Sequence, residues 1–192
     1  MYKLLVDSST KTLYIALVLD NKVLEEMYIE GRNDHAKNIV SKIDEILKNN
    51  NIKVEDLEGV YVGVGPGSYT GVRMAVTVGK MIATNTNVLL YGFSSLYMQQ
   101  SGYDGKVLSY IDARRGNSFN VVYNNGSEEI SEGMRSTTEM FLNYPDYKVV
   151  SEDNIKVNPI KVINHSTLCK NPHGFVPNYL RETEAERNLH HD

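Results

Sequence analysis

The sequence predicts a mixed α/β fold, and three observations support this prediction. Three strand-like segments near the N terminus are joined by short polar turns, a pattern typical of an antiparallel meander. An amphipathic helix comes next. A strand, a glycine-rich turn and a second helix then follow one another directly over residues 60–84. A meander followed by alternating helices and strands is typical of a sheet that carries helices on its face.

The first strands are predicted over residues 3–6, 12–19 and 23–29, where β-branched and aromatic residues are frequent. Asp34 is a candidate N-cap for the first helix. Apolar residues then recur three and four positions apart, so they share one helix face. The members of this core-facing stripe are Ala36, Ile39, Val40, Ile43, Ile46 and Leu47.

The glycine turn, residues 65–71 with the sequence GPGSYTG, can be interpreted in two ways. A strand, a glycine-rich turn and a helix can bring backbone N–H groups up to an anion. However, Gly79-Lys80 is followed by Met81, so there is no P-loop, and Thr70 replaces the third glycine of a dinucleotide motif. The alternative is a tight turn that needs small residues and positive φ angles. Spacing alone favours the structural turn.

The second helix, predicted over residues 70–84, is apolar on two sides. Such a helix is expected to be covered on more than one side. Either the second half of the chain covers it or a partner protein does, and periodicity does not decide between them. The first stripe consists of Val72, Ala75, Val76, Gly79, Ile82 and Ala83, and the second of Met74, Thr77, Val78 and Met81.

The second half of the chain shows a weaker pattern. Strands are predicted over 106–111 and 117–123, with a hairpin turn at 124–126. A short helix is predicted over 137–144, capped by Ser136 or Thr137, and strands over 148–150 and 160–163. We therefore divide the chain into a first lobe (1–100), a shortened second lobe (101–181) and a disordered tail (182–192).

Composition narrows the class of protein. The chain has 192 residues, a net charge of −4 and no broad basic stretch, which argues against a nucleic-acid binder that acts alone. The single cysteine, Cys169, excludes an internal disulfide and suits a reducing cytosol. Asp7 interrupts the first apolar run too early for a signal peptide, and no segment is long and apolar enough to span a membrane. These features predict a cytoplasmic protein.

Candidate catalytic groups are few. Asp7 ends the first strand and is followed by Ser8, Ser9 and Thr10, which can serve either phosphate and Mg²⁺ chemistry or a hydrogen-bonded turn. We favour the turn. Ser68 lies on an exposed loop, but no G-x-S-x-G elbow surrounds it and no histidine is placed as its base.

Four segments of the chain, taken in order, resemble the TsaB (YeaZ) family, bacterial proteins needed for the threonylcarbamoyladenosine modification of tRNA. The glycine segment with its trailing Gly-Val-Arg is close to diagnostic, and the other three are weak alone but strong together. They span almost the whole chain. These segments are Leu4–Thr10, Gly63–Arg73, Ile111–Gly116 and Pro177–Arg181.

The resemblance implies the two-lobed architecture of the actin-like ATPase and sugar-kinase superfamily (ASKHA, ribonuclease H-like). It also implies a non-catalytic paralogue of TsaD, which pairs with TsaD, works with the small ATPase TsaE and forms a homodimer when TsaD is absent. Contact with tRNA is then indirect. No cofactor is expected on the chain by itself, and ATP or ADP is expected at the interface with TsaD.

The resemblance also suggests two sets of residues. The partner interface would use both first-lobe helices, and a vestigial phosphate or nucleotide edge would lie around the glycine turn. The interface set is Asn38, Ser41, Lys42, Glu45, Met74, Thr77, Val78 and Met81, and the vestigial set is Asp7, Ser8, Ser9, Gly65, Gly67 and Ser68.

The chain departs from the catalytic relatives at the metal site. TsaD holds its metal with a His-x-x-x-His pair on the first helix, whereas here His35 is followed four residues later by Ile39, which cannot ligate. His165, His173 and the pair His190-His191 are read as ordinary surface residues, so no metal site is predicted.

Two further departures concern the second lobe, which is short and has Asn117-Ser118-Phe119 where the family has an acidic or amide residue before Val-Tyr. A different class of function also stays open, a self-sufficient ATP-dependent phosphotransferase of the sugar-kinase type. Such an enzyme needs a second glycine-rich phosphate loop, and Gly133 and Gly174 stand isolated.

Overall fold

A computed structural model describes residues 1–31 and 35–180, with residues 35–37 described by their backbone alone. The predicted cap Asp34, the tail 182–192 and the pair His190-His191 lie outside this range. The strands are β1 (Tyr2–Asp7), β2 (Thr12–Leu19), β3 (Lys22–Glu30), β4 (Leu57–Gly63), β5 (Leu89–Phe93), β6 (Lys106–Arg114), β7 (Asn117–Asn124), β8 (Ser127–Ser136), β9 (Lys148–Val150) and β10 (Thr167–Leu168). The helices are α1 (His35–Asn49), α2 (Tyr69–Asn85), α3 (Ser95–Gln100), α4 (Thr137–Asn143) and α5 (Pro159–Asn164).

The first sheet has the strand order β10-β5-β4-β1-β2-β3. β1, β2 and β3 form the predicted antiparallel meander, whereas β4 and β5 continue from β1 in parallel. The short strand β10 closes the far edge in the antiparallel direction. Three antiparallel strands followed by two parallel ones are the order expected of a ribonuclease H-like lobe, so the predicted fold class is confirmed.

The second sheet repeats part of this order. It runs β8-β7-β6-β9, in which β6, β7 and β8 are antiparallel and β9 lies parallel to β6. This matches β3-β2-β1-β4 of the first sheet strand for strand. Within residues 1–31 and 35–180, the parallel part of this sheet ends at the three-residue strand β9.

Three hydrophobic clusters hold the sheets, and the two larger ones cover the two faces of the first sheet. One face of the first sheet packs against α1 and α2, with Leu4, Ile15 and Val62 fully buried. The opposite face packs against α3 and the inner face of the second sheet. All six residues of α3 are buried, because this helix lies between the two sheets. No helix within the described residues is long and apolar enough to cross a membrane.

Two predictions about single elements need correction. Residues 160–163, predicted as a strand, lie in α5, because the Asn158 side chain accepts a hydrogen bond from the Lys161 N–H (3.1 Å) and Pro159 occupies the first turn. Val40, predicted to face the core, is 60% exposed. Helix α3 and strand β8 had not been predicted at all.

Candidate functional site

The glycine turn begins the second helix as expected. The Ser68 hydroxyl accepts a hydrogen bond from the Gly71 N–H (3.4 Å) and caps α2. Gly65 and Gly67 have φ angles of +96° and +156°, which side-chain-bearing residues rarely adopt. The backbone of the turn therefore requires glycine at both positions.

The space under the glycine turn is filled by the turn between β1 and β2. The Ser68 N–H donates to the Ser9 carbonyl (2.7 Å), and the Ser8 hydroxyl donates to the Gly71 carbonyl (2.7 Å). A Cβ on Gly67 would lie 2.5 Å from the Ser9 carbonyl oxygen, and one on Gly71 would lie 1.9 Å from that of Ser8. The glycines thus admit a neighbouring stretch of the same chain. We call these two interlocked turns the clasp.

Asp7 is the fully buried anchor of the clasp. Its carboxylate accepts hydrogen bonds from the Ser9 N–H (2.9 Å), the Ser9 hydroxyl (2.6 Å) and the Ser95 hydroxyl (2.6 Å). The Ser95 hydroxyl also accepts from the Gly65 N–H (3.2 Å). A Cβ on Gly63 would lie 1.7 Å from a carboxylate oxygen of Asp7, so this glycine makes room for the acid.

The residues of the predicted vestigial edge therefore come together in one place. Their polar groups bond to one another, which supports the structural interpretation of Asp7 and of the glycine turn. Among the side chains that the structure describes, those of residues 1–31 and 38–180, no group of three His, Cys, Asp or Glu is arranged to hold a metal ion. His165 stacks on the ring of Tyr97 (4.0 Å between centroids), and the carbonyl of His173 accepts from the Lys80 ammonium (2.9 Å).

Helix α2 presents two opposite faces, as its sequence predicted. Its inner face buries Val72, Ala75 and Val76 against the first sheet, and Gly79 lets the helix approach Val62, whose methyl carbon would lie 2.6 Å from an added Cβ. The other predicted members of this inner stripe, Ile82 and Ala83, are half-buried against the same core.

The second stripe lies on the outside of α2, although Val78 at its edge also packs against the first core. Met81 is 58% exposed and Thr77 is exposed, whereas Met74 and Val78 are half-buried. Residues 74, 77, 78 and 81 share one side of a helix with 3.6 residues per turn, roughly opposite the buried side. We call this outer stripe the α2 strip.

The predicted flanking residues of α1 form a polar stripe. Ser41 and Glu45 are exposed, and Asn38 and Lys42 are half-buried. The Ser41 hydroxyl donates to the Asn38 carbonyl (2.9 Å), and the Lys42 ammonium pairs with the Glu45 carboxylate (2.6 Å). The exposed Val40 lies on another side of α1 and does not belong to this stripe.

One feature near the clasp escaped the sequence analysis. The rings of Tyr69 and Tyr179, both nearly half exposed, stack at 5.3 Å between centroids, and Arg73 donates to the Tyr69 hydroxyl (2.8 Å). The C-terminal segment is fixed beside the glycine turn, because the Asn178 N–H donates to the Val64 carbonyl (2.8 Å). The sequence placed each tyrosine in a family-like segment, Tyr69 in Gly63–Arg73 and Tyr179 in Pro177–Arg181. It did not show that the two segments meet in the fold.

Comparison with known proteins decides the family. The family model described as TsaD, tRNA N6-adenosine threonylcarbamoyltransferase, matches residues 22–170. A Bacillus subtilis protein named tRNA threonylcarbamoyladenosine biosynthesis protein TsaB is 27% identical, with 95% of each chain covered. The chain belongs to the TsaD family and, within it, to the TsaB (YeaZ) group. The resemblance carried by the four segments is thereby confirmed.

Other TsaB proteins match over shorter lengths. The Escherichia coli protein is 28% identical over 68% of this chain and 58% of its own length. The Haemophilus influenzae protein is 30% identical over 78% of this chain and 61% of its own length. The chain thus spans nearly all of the B. subtilis TsaB, but only about three fifths of these two relatives.

Solved structures agree on the fold. YeaZ from Pseudomonas aeruginosa superposes with a TM-score of 0.64 at 24% identity, over 70% of this chain and 67% of that one. An uncharacterized protein similar to the YEAZ peptidase of P. aeruginosa superposes with a TM-score of 0.76 at 19% identity, over 94% and 99%. The TsaB group is named for tRNA threonylcarbamoyladenosine biosynthesis, and this chain takes part in that process.

Proposed function

We propose that the chain is a non-catalytic subunit that binds TsaD and activates threonylcarbamoyl transfer to the adenosine beside the anticodon of tRNA. One observation carries this proposal: α2 has apolar side chains on two opposite faces, and its own fold buries only one of them. An exposed apolar strip on a regular helix is typical of a protein–protein contact.

The residue types of the α2 strip suit this role. Methionine side chains are flexible and polarisable, so Met74 and Met81 can adapt to a facing helix. Thr77 is small enough to let that helix approach. The polar stripe of α1 lies one helix away and would form the rim of the contact, because interfaces typically surround an apolar centre with polar residues.

A non-catalytic role is supported by the position where the metal-binding relatives have their second histidine. Ile39 stands there, and it is 2% exposed and part of the first core. Asp7, the other candidate for phosphate chemistry, is fully buried and hydrogen-bonded to Ser9 and Ser95. Neither position offers a group to a substrate, which also weighs against the phosphotransferase alternative.

Several finer parts of the proposal follow from this role. The α2 strip would pair with a second copy of the chain when TsaD is absent. TsaE would join through the complex, and ATP or ADP would bind only where TsaD completes the site. A tRNA-modifying complex of this kind would act in the cytosol and would contact tRNA mainly through TsaD.

The test is co-purification with the TsaD of the same organism, measured by size-exclusion chromatography. We expect Val78→Glu and Met81→Glu to abolish the complex, because each would desolvate a charge at the centre of the contact, at a cost of a few kcal/mol. Val40→Glu is the matched control: it makes the same change at an exposed valine outside the strip and should leave the complex intact.

Tm measurements of the isolated variants separate binding from folding. Because Met81 is more exposed than Val78, Met81→Glu should leave the Tm of the isolated chain nearly unchanged. If the folded Met81→Glu variant still forms the complex with native affinity and still supports the modification, the interface lies elsewhere and the proposal is wrong.

A further inference from the structure

A cavity of about 230 Å³ opens on the side of the molecule formed by α3, the β7–β8 hairpin and the end of α5. It shares no residue with the α2 strip or with the predicted vestigial edge. Its walls combine aromatic rings with carboxylates. The lining residues are Ser94, Tyr97, Tyr123, Gly126, Glu128, Glu132 and His165.

The aromatic walls are fixed by ring contacts. Tyr97, which is 9% exposed, stacks on His165 with 4.0 Å between ring centroids and an angle of 13° between their planes. Tyr97 also meets Tyr123 edge to face at 5.6 Å. Because each ring is held by a neighbour, the cavity presents a preformed set of π surfaces, and such surfaces attract cations.

The carboxylates come from one strand. Glu128 and Glu132 both lie on β8 and both line the cavity, although the pairing of β8 with β7 shifts register between them. The Ser94 hydroxyl donates to a carboxylate oxygen of Glu132, and the Tyr123 hydroxyl lies at 3.5 Å from one of Glu128. Burial raises the pKa of Glu132, and the nearby charge of Glu128 raises it further.

No ion pair to either acid is found among the side chains that the structure describes. This holds for every Lys and Arg side chain of residues 1–31 and 38–180. Two carboxylates that repel each other in a partly buried aromatic cavity are stabilised by a positive group placed between them. The same negative charge disfavours a phosphate or carboxylate ligand.

We propose that this cavity binds an ammonium or guanidinium group, carried either by a free alkyl amine or by the tip of a Lys or Arg side chain. The rings would cover the faces and alkyl part of the ligand, and Glu128 and Glu132 would accept its N–H groups. This site is separate from the contact proposed for TsaD and does not depend on it.

The test is isothermal titration calorimetry of the full chain at pH 8 with agmatine, which carries a guanidinium at one end, and with butylamine. We expect saturable binding of both, and much weaker binding of 1-pentanol, a neutral molecule of similar size. Loss of one charged acceptor should weaken binding about tenfold, so Glu132→Gln and Glu128→Gln should each raise the Kd by about that factor.

Glu139→Gln is the matched control, because Glu139 lies in the first turn of α4 outside the cavity. It should leave the Kd unchanged. Glu128 is exposed, so Glu128→Gln keeps the test valid if Glu132→Gln destabilises the chain. Thermal unfolding of each variant identifies that case.

One further titration distinguishes the source of the cation. A capped Gly-Lys-Gly peptide that binds more tightly than butylamine would identify a side chain as ligand, and the reverse order would identify a free amine. Either result supports the proposal. It is overturned if agmatine and butylamine show no saturable binding up to about 10 mM, if pentanol binds equally well, or if both Glu→Gln variants bind as the unmodified chain does.

Discussion

The clasp and the α2 strip are neighbours along the chain, but their side chains differ in what they contact. In the clasp, the buried polar groups of Asp7, Ser8 and Ser9 bond to the glycine turn and to Ser95. In the α2 strip, only a few residues further on, Met81 remains more than half exposed. The first region is complete within the chain, whereas we propose that a second molecule covers the other.

The clasp shows that a glycine-rich turn between a strand and a helix can have a purely structural role. The arrangement is typical of anion sites because small residues let a phosphate approach the backbone. Here the same small residues let another turn of the same chain approach, since the Ser8 carbonyl occupies the space beside Gly71. A glycine turn therefore indicates a close approach, and the fold determines what approaches.

The largest expected effect would come from breaking the clasp with Gly71→Ala. The added methyl would lie 1.9 Å from the Ser8 carbonyl oxygen, and backbone cannot move aside cheaply. We expect a loss of at least about 3 kcal/mol, or a fall in Tm of about 10 °C, by differential scanning calorimetry. Gly67→Ala should act in the same direction.

Gly31→Ala is the control for this experiment, because an added methyl there meets nothing within 4 Å. Its Tm should stay within about 2 °C of the unmodified chain. An unchanged Tm in Gly67→Ala, combined with loss of TsaD-dependent modification, would make the turn a functional contact and refute the structural interpretation.

A smaller effect is expected from removing the anchor with Asp7→Ala. The Ser9 and Ser95 hydroxyls would lose their buried acceptor, so we expect a loss of about 2 kcal/mol and a fall in Tm of about 6 °C. The isolated chain should hydrolyse no ATP either before or after the change. ATP turnover by the purified chain that disappears in Asp7→Ala would instead show that this acid is catalytic.

The α2 strip should respond in affinity and not in stability. Met81→Ala removes an exposed side chain, so the Tm should stay within about 2 °C. Binding to TsaD should weaken about tenfold, as is typical for an apolar residue near the centre of a contact. Leu142→Ala, at a 74% exposed position on α4, should leave the affinity unchanged. Equal losses of TsaD affinity in Met81→Ala and Leu142→Ala would show that the α2 strip is not the contact surface.

The smallest effect is expected at the polar rim. Lys42→Ala breaks an exposed pair with Glu45, and such pairs contribute less than about 1 kcal/mol. We expect less than a threefold change in TsaD affinity by calorimetry. Lys48→Ala, which breaks a similar pair with Asp44 away from the stripe, is the control. A tenfold loss of TsaD affinity in Lys42→Ala but not in Lys48→Ala would show that the centre of the contact lies on α1 and not on α2.

Much of the first sheet could be predicted from the sequence, because its elements have strong periodic patterns. β2 occupies residues 12–19 as predicted, and α2 covers the predicted 70–84 with one further residue at each end. The two faces of α2 were also visible in the spacing of its apolar residues. Val40 was misplaced because its position matches the core stripe in spacing but lies at the stripe's edge on the helix surface.

The second half was harder because its elements are short or depend on distant contacts. β8 is rich in charged and small residues, and it forms a strand by pairing with the buried β7. α5 contains three β-branched residues, which favoured a strand, but the cap Asn158 and Pro159 start a helix. The clasp joins residues about 60 positions apart, and local spacing does not show which segment fills a turn.

The path of the chain between the sheets also limits how they can move. It leaves the first sheet at α3 and returns after α5 at β10, where the Cys169 N–H donates to the Leu90 carbonyl (2.8 Å). Two rigid bodies that are joined at two points can rotate relative to each other only about the line through those two points, which is a hinge motion. Tyr97 on α3 and His165 at the end of α5 stack where these connections meet, so their ring contact lies near that line and would persist as the angle between the sheets changes.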